Sequence, residues 1–286
     1  ASAVHPHCRV LPRESFLPPR LQHRLRLRRR QRGTRAAGAV AARVVCPPAP
    51  WAIGAGAEAH KYCTQYMERA SAGGCETLRG MWANATAVSA TICKMRSVAR
   101  LVGLAPGDRL LDLGAGCGHQ LRFLADGWGI SGVGVELLDE NVAWAQRRLG
   151  ARLEAFCAGD AAARDGLPFL PNASFDLVIS HAVLRELPVQ SQCAIGRLSL
   201  RVLRPGGCAW LGFLRDSLTL VGDNFFKQRP GRAFWHRPGC LRKVRAGWRK
   251  DYDLAIVSEK AFFGAVEYPG HLGKGAYSVF MCKRLK

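Results

Sequence analysis

From residue 109 onward, short apolar runs closed by glycine or an acidic residue alternate with stretches of helical period. The runs 109–113, 132–136, 152–157, 175–180 and 208–214 are strand-length and carry few charges, as strands covered on both faces do. Between them, 117–126, 139–149 and 190–203 repeat apolar positions every three or four residues, with Asp139 placed to cap the second of these helices. Pro106-Gly107-Asp108 and Arg204-Pro205-Gly206-Gly207 supply turn signals. Repeated β-α units with short turns predict an α/β fold built on a doubly wound, mostly parallel sheet. An irregular stretch over 216–236 is followed by a helix near 241–249 and strands at 254–263 and 277–283. Upstream, 57–70 and 76–102 read as helices; Leu78, Trp82, Val88, Ile92, Met95, Val98 and Leu101 keep one face of the second.

The first strand runs into the most informative stretch of the chain. Asp112, Gly114, Gly116 and Gly118 spell D-x-G-x-G-x-G, and a helix opens directly after it. Alternate glycines permit left-handed backbone and close approach of a ligand. The helix start directs free N–H groups at the same place. A dinucleotide loop has the spacing G-x-G-x-x-G, so the third glycine here comes one residue early, which disfavours a nicotinamide enzyme. In an open α/β sheet, ligands bind beyond the carboxyl ends of the strands. Three acids stand at three successive strand ends: Asp112, Glu136 and Asp160.

The loop resembles motif I of the class I S-adenosylmethionine-dependent methyltransferases. The likeness extends over about residues 75–286, and the segments at 175–180 and 203–207 are similar to the small-molecule, type-11 branch. The resemblance implies a Rossmann-like, seven-stranded sheet whose last strand is antiparallel, with helices before motif I capping the cofactor site. It places Gly114, Gly116 and Gly118 under the methionine part of S-adenosylmethionine and Asp112 near its ammonium group. Glu136 would accept the ribose hydroxyls beside Leu137. Asp160 would accept from the adenine amino group, with Ala161 supplying an N–H. Ser180 and His181 would lie beside the reacting methyl. His181 is the candidate general base, since histidine titrates near neutral pH. Tyr62 and Tyr66 in the cap, and Phe225, Trp235 and His236 after the fifth strand, are candidates for contact with the acceptor. The fourth strand does not end in the Asn/Asp-Pro-Pro-Tyr/Phe pattern of amino-group methylation, and no Pro-Cys nucleophile follows it. A small-molecule acceptor is therefore expected. RNA or protein acceptors recruited by basic termini, and a non-catalytic cofactor-binding protein, are the alternatives.

Charge sharpens the division of the chain. The net charge is +21 over 286 residues. Residues 1–44 contribute 11 basic against one acidic, residues 45–226 contribute 17 against 16, and residues 227–286 contribute 14 against four. A near-neutral middle between basic ends is not the pattern of a uniformly nucleic-acid-binding enzyme. Residues 1–50 are arginine-rich and poor in acid. They are expected to form a disordered tail, a targeting segment or a polyanion tether. A helical cap over 51–104 and a sheet core over 105–286 complete the expected organisation. No run of about 18 apolar residues occurs, so no membrane-spanning helix is expected. Eleven cysteines are scattered without C-x-x-C or Cys/His zinc spacing. They are expected to be structural free thiols, with no metal bound. Free thiols point to an intracellular location, cytoplasmic or organellar.

Overall fold

The computed structural model describes residues 15, 17–31, 42–48, 75, 85–163, 166–181, 183–184, 189–215, 251–258, 262–263 and 276–284. Seven strands form one sheet: β1 (Arg109–Leu113), β2 (Ser131–Glu136), β3 (Ala155–Ala158), β4 (Phe175–His181), β5 (Leu203–Arg215), β6 (Tyr252–Ser258) and β7 (Ala276–Lys283). Their order is β3-β2-β1-β4-β5-β7-β6. The pairs from β3 across to β5 are parallel, and β7 lies antiparallel to both β5 and β6. The chain winds outward from β1 to β3, then returns to β4 and winds the other way. This order reverses beside β1, which opens a crevice at the carboxyl ends of β1 and β4.

Side chains alternate between the two faces. One face gathers Leu111, Leu113, Val133, Val135, Val178, Ala209 and Leu211 beneath α5 (Val189–Val202). The other gathers Leu110, Leu177, Ile179 and Trp210 beneath α2 (Ala85–Leu101), α3 (His119–Trp128) and α4 (Asp139–Leu149). Gly132 and Gly134 of β2 belong to this second face. A Cβ on Gly134 would stand 2.4 Å from the Phe156 ring, so glycine is what lets Phe156 and Leu121 pack onto the strand.

α1 (Pro19–Gln31) falls inside the segment expected to be a disordered tail, so that expectation does not hold for these residues. The arginine run conceals an apolar stripe. Leu17, Leu21 and Leu25, four residues apart, are at most 2% exposed and share a core with Ala255, Val257, Phe280 and Cys282. The β7–β6 end of the sheet thus gains an apolar cover from the chain's beginning. Proline at the helix start lacks only an N–H that would go unused there. The polar side of α1 is anchored below the sheet. Arg28 is 6% exposed and pairs with Asp176 at the start of β4, and its guanidinium also donates to the carbonyls of Asp176 and Gly206. Arg204 pairs with Asp176 and Asp108, while Arg24 and Arg284 pair with Asp253.

Other differences are local. Asp139, expected as the N-cap of α4, is its first helical residue. Leu138 takes the cap position with no side-chain cap bond, and Asp139 and Glu140 instead place negative charge against the helix dipole. The expected turn at 204–207 is an excursion within β5: Phe175 pairs with Leu203 and Leu177 with Cys208, so the ladder shifts register there. Gly206 has φ +76° in this excursion. β6 ends at Ser258 rather than continuing to 263, and Phe262 and Phe263 are helical. The expected helices at 57–70 and 241–249 lie outside the described residues.

The cysteines correct a second expectation. Cys46 is bonded to Cys157, Cys75 to Cys117 and Cys208 to Cys282, and Cys93 and Cys193 are also disulfide-bonded. The three pairs are 111, 42 and 74 residues apart, so only the fold brings them together and linear spacing carries no sign of them. The inference of a reducing compartment rested on free thiols and loses that support. Among the described residues no helix is long and apolar enough to cross a membrane.

Candidate cofactor and active site

The loop between β1 and α3 is built from three left-handed glycines. Gly114, Gly116 and Gly118 have φ of +76°, +56° and +73°, a conformation that costs other residues roughly 1 kcal/mol or more. The N–H groups of Gly114 and Ala115 donate to the Val135 carbonyl at 2.8 and 3.0 Å, and that of Gly118 to Ala115 at 2.9 Å. The loop is thereby stitched to the end of β2. The three glycines have different neighbours. A Cβ on Gly114 would strike Val183, and one on Gly118 would strike Phe156 and Leu149, whereas one on Gly116 would meet open space. Close packing demands glycine at 114 and 118. Gly116 is the position at which the loop opens.

Two buried carboxyl groups face this opening from neighbouring strands. Asp112 and Glu136 are 2% and 7% exposed. Strand alternation puts both on the face that carries Leu110 and Gly134. Glu136 accepts from the Gly116 N–H at 2.8 Å and the Leu138 N–H at 3.2 Å. Burial raises its pKa, and the N–H groups of Gly116, Leu138 and Leu137 oppose that rise. Asp112 receives no hydrogen bond from a described residue. Burial, then the charge of Glu136, push its pKa up to about 8. A carboxyl group sealed from water without a donor is held in its neutral form until a cation or donor reaches it.

The remaining predicted residues fall on adjacent strand ends. The Gly159 N–H donates to the Glu136 carbonyl at 2.9 Å, which brings the turn after β3 beside β2. In that turn the Asp160 carboxylate accepts from the Ala162 N–H at 2.8 Å, and Ala161 is 9% exposed. At the end of β4, Ser180 is fully buried and donates to the Leu113 carbonyl at 2.8 Å, locking β4 to β1 just below the glycine loop. His181 is 8% exposed and stacks on Trp210, with ring centroids 5.3 Å apart. The Trp210 Nε1–H donates to Ser278 Oγ at 2.9 Å, and the absence of a Cβ at Gly212 makes room for both rings. Tyr62, Tyr66, Phe225, Trp235 and His236 lie outside the described residues.

Sequence reasoning missed Trp210, Val183, Phe156 and the Cys75–Cys117 bond. Trp210 sits in an ordinary-looking apolar run. Its place against His181 depends on the register that sets Ile179 beside Trp210 and His181 beside Gly212.

Residues 110–207, the segment that contains this loop and four of the strand ends, match the model of a methyltransferase domain family. Over that segment the chain is similar to the class I S-adenosylmethionine-dependent methyltransferases. Over 117 residues it is 34% identical to a 27-O-demethylrifamycin SV methyltransferase of Amycolatopsis mediterranei, covering 40% of this chain and 42% of that protein. Over 150 residues it is 30% identical to a 2-methyl-6-phytyl-1,4-hydroquinone methyltransferase of Synechocystis sp., covering 51% of this chain and 41% of that protein. The chain thus spans about two fifths of the length of these relatives. Among solved structures, the [4+2]-cyclase SpnF is similar over 80% of this chain and 94% of its own, with a TM-score of 0.51 and 22% identity. That likeness concerns the fold alone.

The methyltransferase domain family uses S-adenosylmethionine, and the residues present fit it. Gly116 leaves an open approach to backbone, Glu136 is an oriented carboxylate at the end of β2, and Asp112 is a buried acid to which no described residue donates.

Proposed function

We propose that this protein transfers the methyl group of S-adenosylmethionine to a small organic acceptor. The observation that carries the reading is the meeting of Asp112, Glu136 and Asp160 at three neighbouring strand ends around the open Gly116 position. In this reading Glu136 holds the ribose hydroxyls, with Leu137 alongside. Asp160 and the Ala161 N–H recognise the adenine, and Asp112 receives the methionine ammonium group. When bound, the cofactor supplies an electrophilic methyl on a good sulfonium leaving group. The protein's share of catalysis is then to align the acceptor and exclude water. His181 takes the acceptor's proton where the acceptor must lose one; Trp210 packs against one face of its ring. Ser180 contributes by joining β4 to β1 rather than through a free hydroxyl. Tyr62, Tyr66, Phe225, Trp235 and His236 remain the proposed acceptor contacts.

Calorimetric titration with S-adenosylhomocysteine tests the cofactor assignment. Glu136→Ala should weaken binding by about 1–3 kcal/mol, the worth of charge-assisted hydrogen bonds. Unchanged affinity in that variant would remove Glu136 from the site. One similar solved structure, at 22% identity, is named a cyclase, so the fold by itself does not fix the reaction and a cyclase-like reading has to be tested. This fold therefore occurs without methyl transfer in the name of its activity. Following the fate of a labelled methyl group with pooled small acceptors separates the two readings. Label in the acceptor supports transfer; turnover of an acceptor with the label retained on the cofactor supports the cyclase-like alternative.

A further inference from the structure

The glycine loop is held from outside by one covalent bond. Cys117 lies between Gly116 and Gly118, and its sulfur is joined to that of Cys75, 42 residues earlier. Cys75 is 7% exposed, and Asn141 Oδ1 of α4 lies 3.1 Å from its sulfur. A second link runs in parallel. The imidazole of His119, the first residue of α3, donates to the Cys75 carbonyl, and its ring meets Trp144 edge-on at 5.0 Å. Bonds from β2 hold the start of the loop at Gly114, Ala115 and Gly116. Cys75 holds its end.

This disulfide differs from the others in its setting. Cys157 is fully buried, and Cys208 and Cys282 are 1% and 4% exposed in the middle of paired strands. Reduction leaves those three thiols where the sheet already fixes them, and Cys46, partly exposed like Cys117, lies on the 42–48 segment outside the glycine loop. Cys117 is partly exposed and stands between two left-handed glycines of the loop that faces the proposed cofactor site. A thiol reagent can reach it, and access governs the rate of thiol–disulfide exchange.

We propose that the Cys75–Cys117 bond is a redox-sensitive staple that keeps the glycine loop in its cofactor-binding conformation, so that a dithiol reductant lowers cofactor affinity. The inference rests on the cofactor reading above. In the reduction, one thiolate of the reductant attacks the Cys117 sulfur and Cys75 departs as a thiolate that takes up a proton. The reductant's second thiol then displaces Cys117, which leaves as a thiol. Two electrons and two protons pass to the protein, and the reductant ends as its disulfide. With the staple open, the loop samples other conformations, and binding must first restore order.

The test uses the full chain, oxidised or treated with dithiothreitol, with the cysteine state mapped by alkylation. S-adenosylhomocysteine affinity and amide hydrogen exchange over residues 114–119 are read in both states. The expected result is at least a tenfold loss of affinity and faster loop exchange on reduction. A C75S/C117S variant should behave as the reduced protein in either state, and a C46S/C157S variant should keep the response. Equal affinity and equal loop exchange in both states would overturn the proposal, as would a redox response that survives in C75S/C117S. Tighter binding on reduction would overturn it too. Loop exchange that responds to dithiothreitol while S-adenosylhomocysteine binds in neither state would sink the cofactor reading and leave the staple standing.

Discussion

Asp112 shows a conflict between folding and binding at a single residue. Its carboxyl is 2% exposed, and its pKa rises from 3.8 to about 8. Between about pH 4 and pH 8 the unfolded chain has released this proton and the folded chain has kept it. Stability therefore falls as pH rises through that window, by up to about 1.4 kcal/mol per pH unit for the group alone. Glu136, also raised, adds to the same trend. Asp112→Asn keeps the shape and removes the titration. The ligand-free variant should melt about 4 °C or more above wild type at pH 7–8, about 2 kcal/mol at this size, and show a shallower slope between pH 5 and 7, the remainder coming from Glu136. Its S-adenosylhomocysteine affinity should fall. A variant that is stabilised and still binds normally would mean that Asp112 serves no ligand. At this scale the sequence was informative. Asp112, Glu136 and Asp160 were legible because a parallel sheet has little reason to end successive strands in acids. The separate duties of the three glycines were not, since Val183, Phe156 and Leu149 reach them from other elements.

At the scale of elements, α1 is the informative case. Its mean composition is that of a solvated arginine tail, yet Leu17, Leu21 and Leu25 cover the β7–β6 end of the sheet. Each buried leucine contributes about 1.5–3 kcal/mol on burial. Leu21→Ala should destabilise the fold by about 2–4 kcal/mol in urea unfolding, the range for a core leucine, because Leu21 is fully buried. A loss below 0.5 kcal/mol would show that the helix is dispensable to the core. Deleting residues 1–44 consequently removes part of the fold along with charge, and is a poor test of a polyanion tether. The strands and helices from β1 through α5 were legible because glycine turns and apolar periodicity agree there. The excursion at Arg204-Pro205-Gly206-Gly207 was read as a turn before β5, since a register shift inside a strand depends on its partner Phe175.

For the molecule as a whole, charge and site are separate. Of the net charge of +21, the two ends carry +20, and residues 45–226 are almost neutral. Asp112 and Glu136 at the proposed cofactor site are buried and Asp160 is partly buried, and salt screens buried groups much less than surface charges. S-adenosylhomocysteine affinity should therefore change less than about twofold between 0.05 and 0.5 M sodium chloride, measured by calorimetry. A steep decline with salt would bring the basic ends into the cofactor site.

Local information was enough to place the strands, the glycine loop and the acids at the strand ends, because each depends on residues within a few positions of one another. Period, turn chemistry and side-chain charge act over that range. Tertiary structure decided the rest. It chose which cysteines meet across 42 to 111 residues, set Trp210 against His181, and turned an arginine-rich beginning into a structural helix. These outcomes depend on strand order and register, which bring together residues that no local pattern connects.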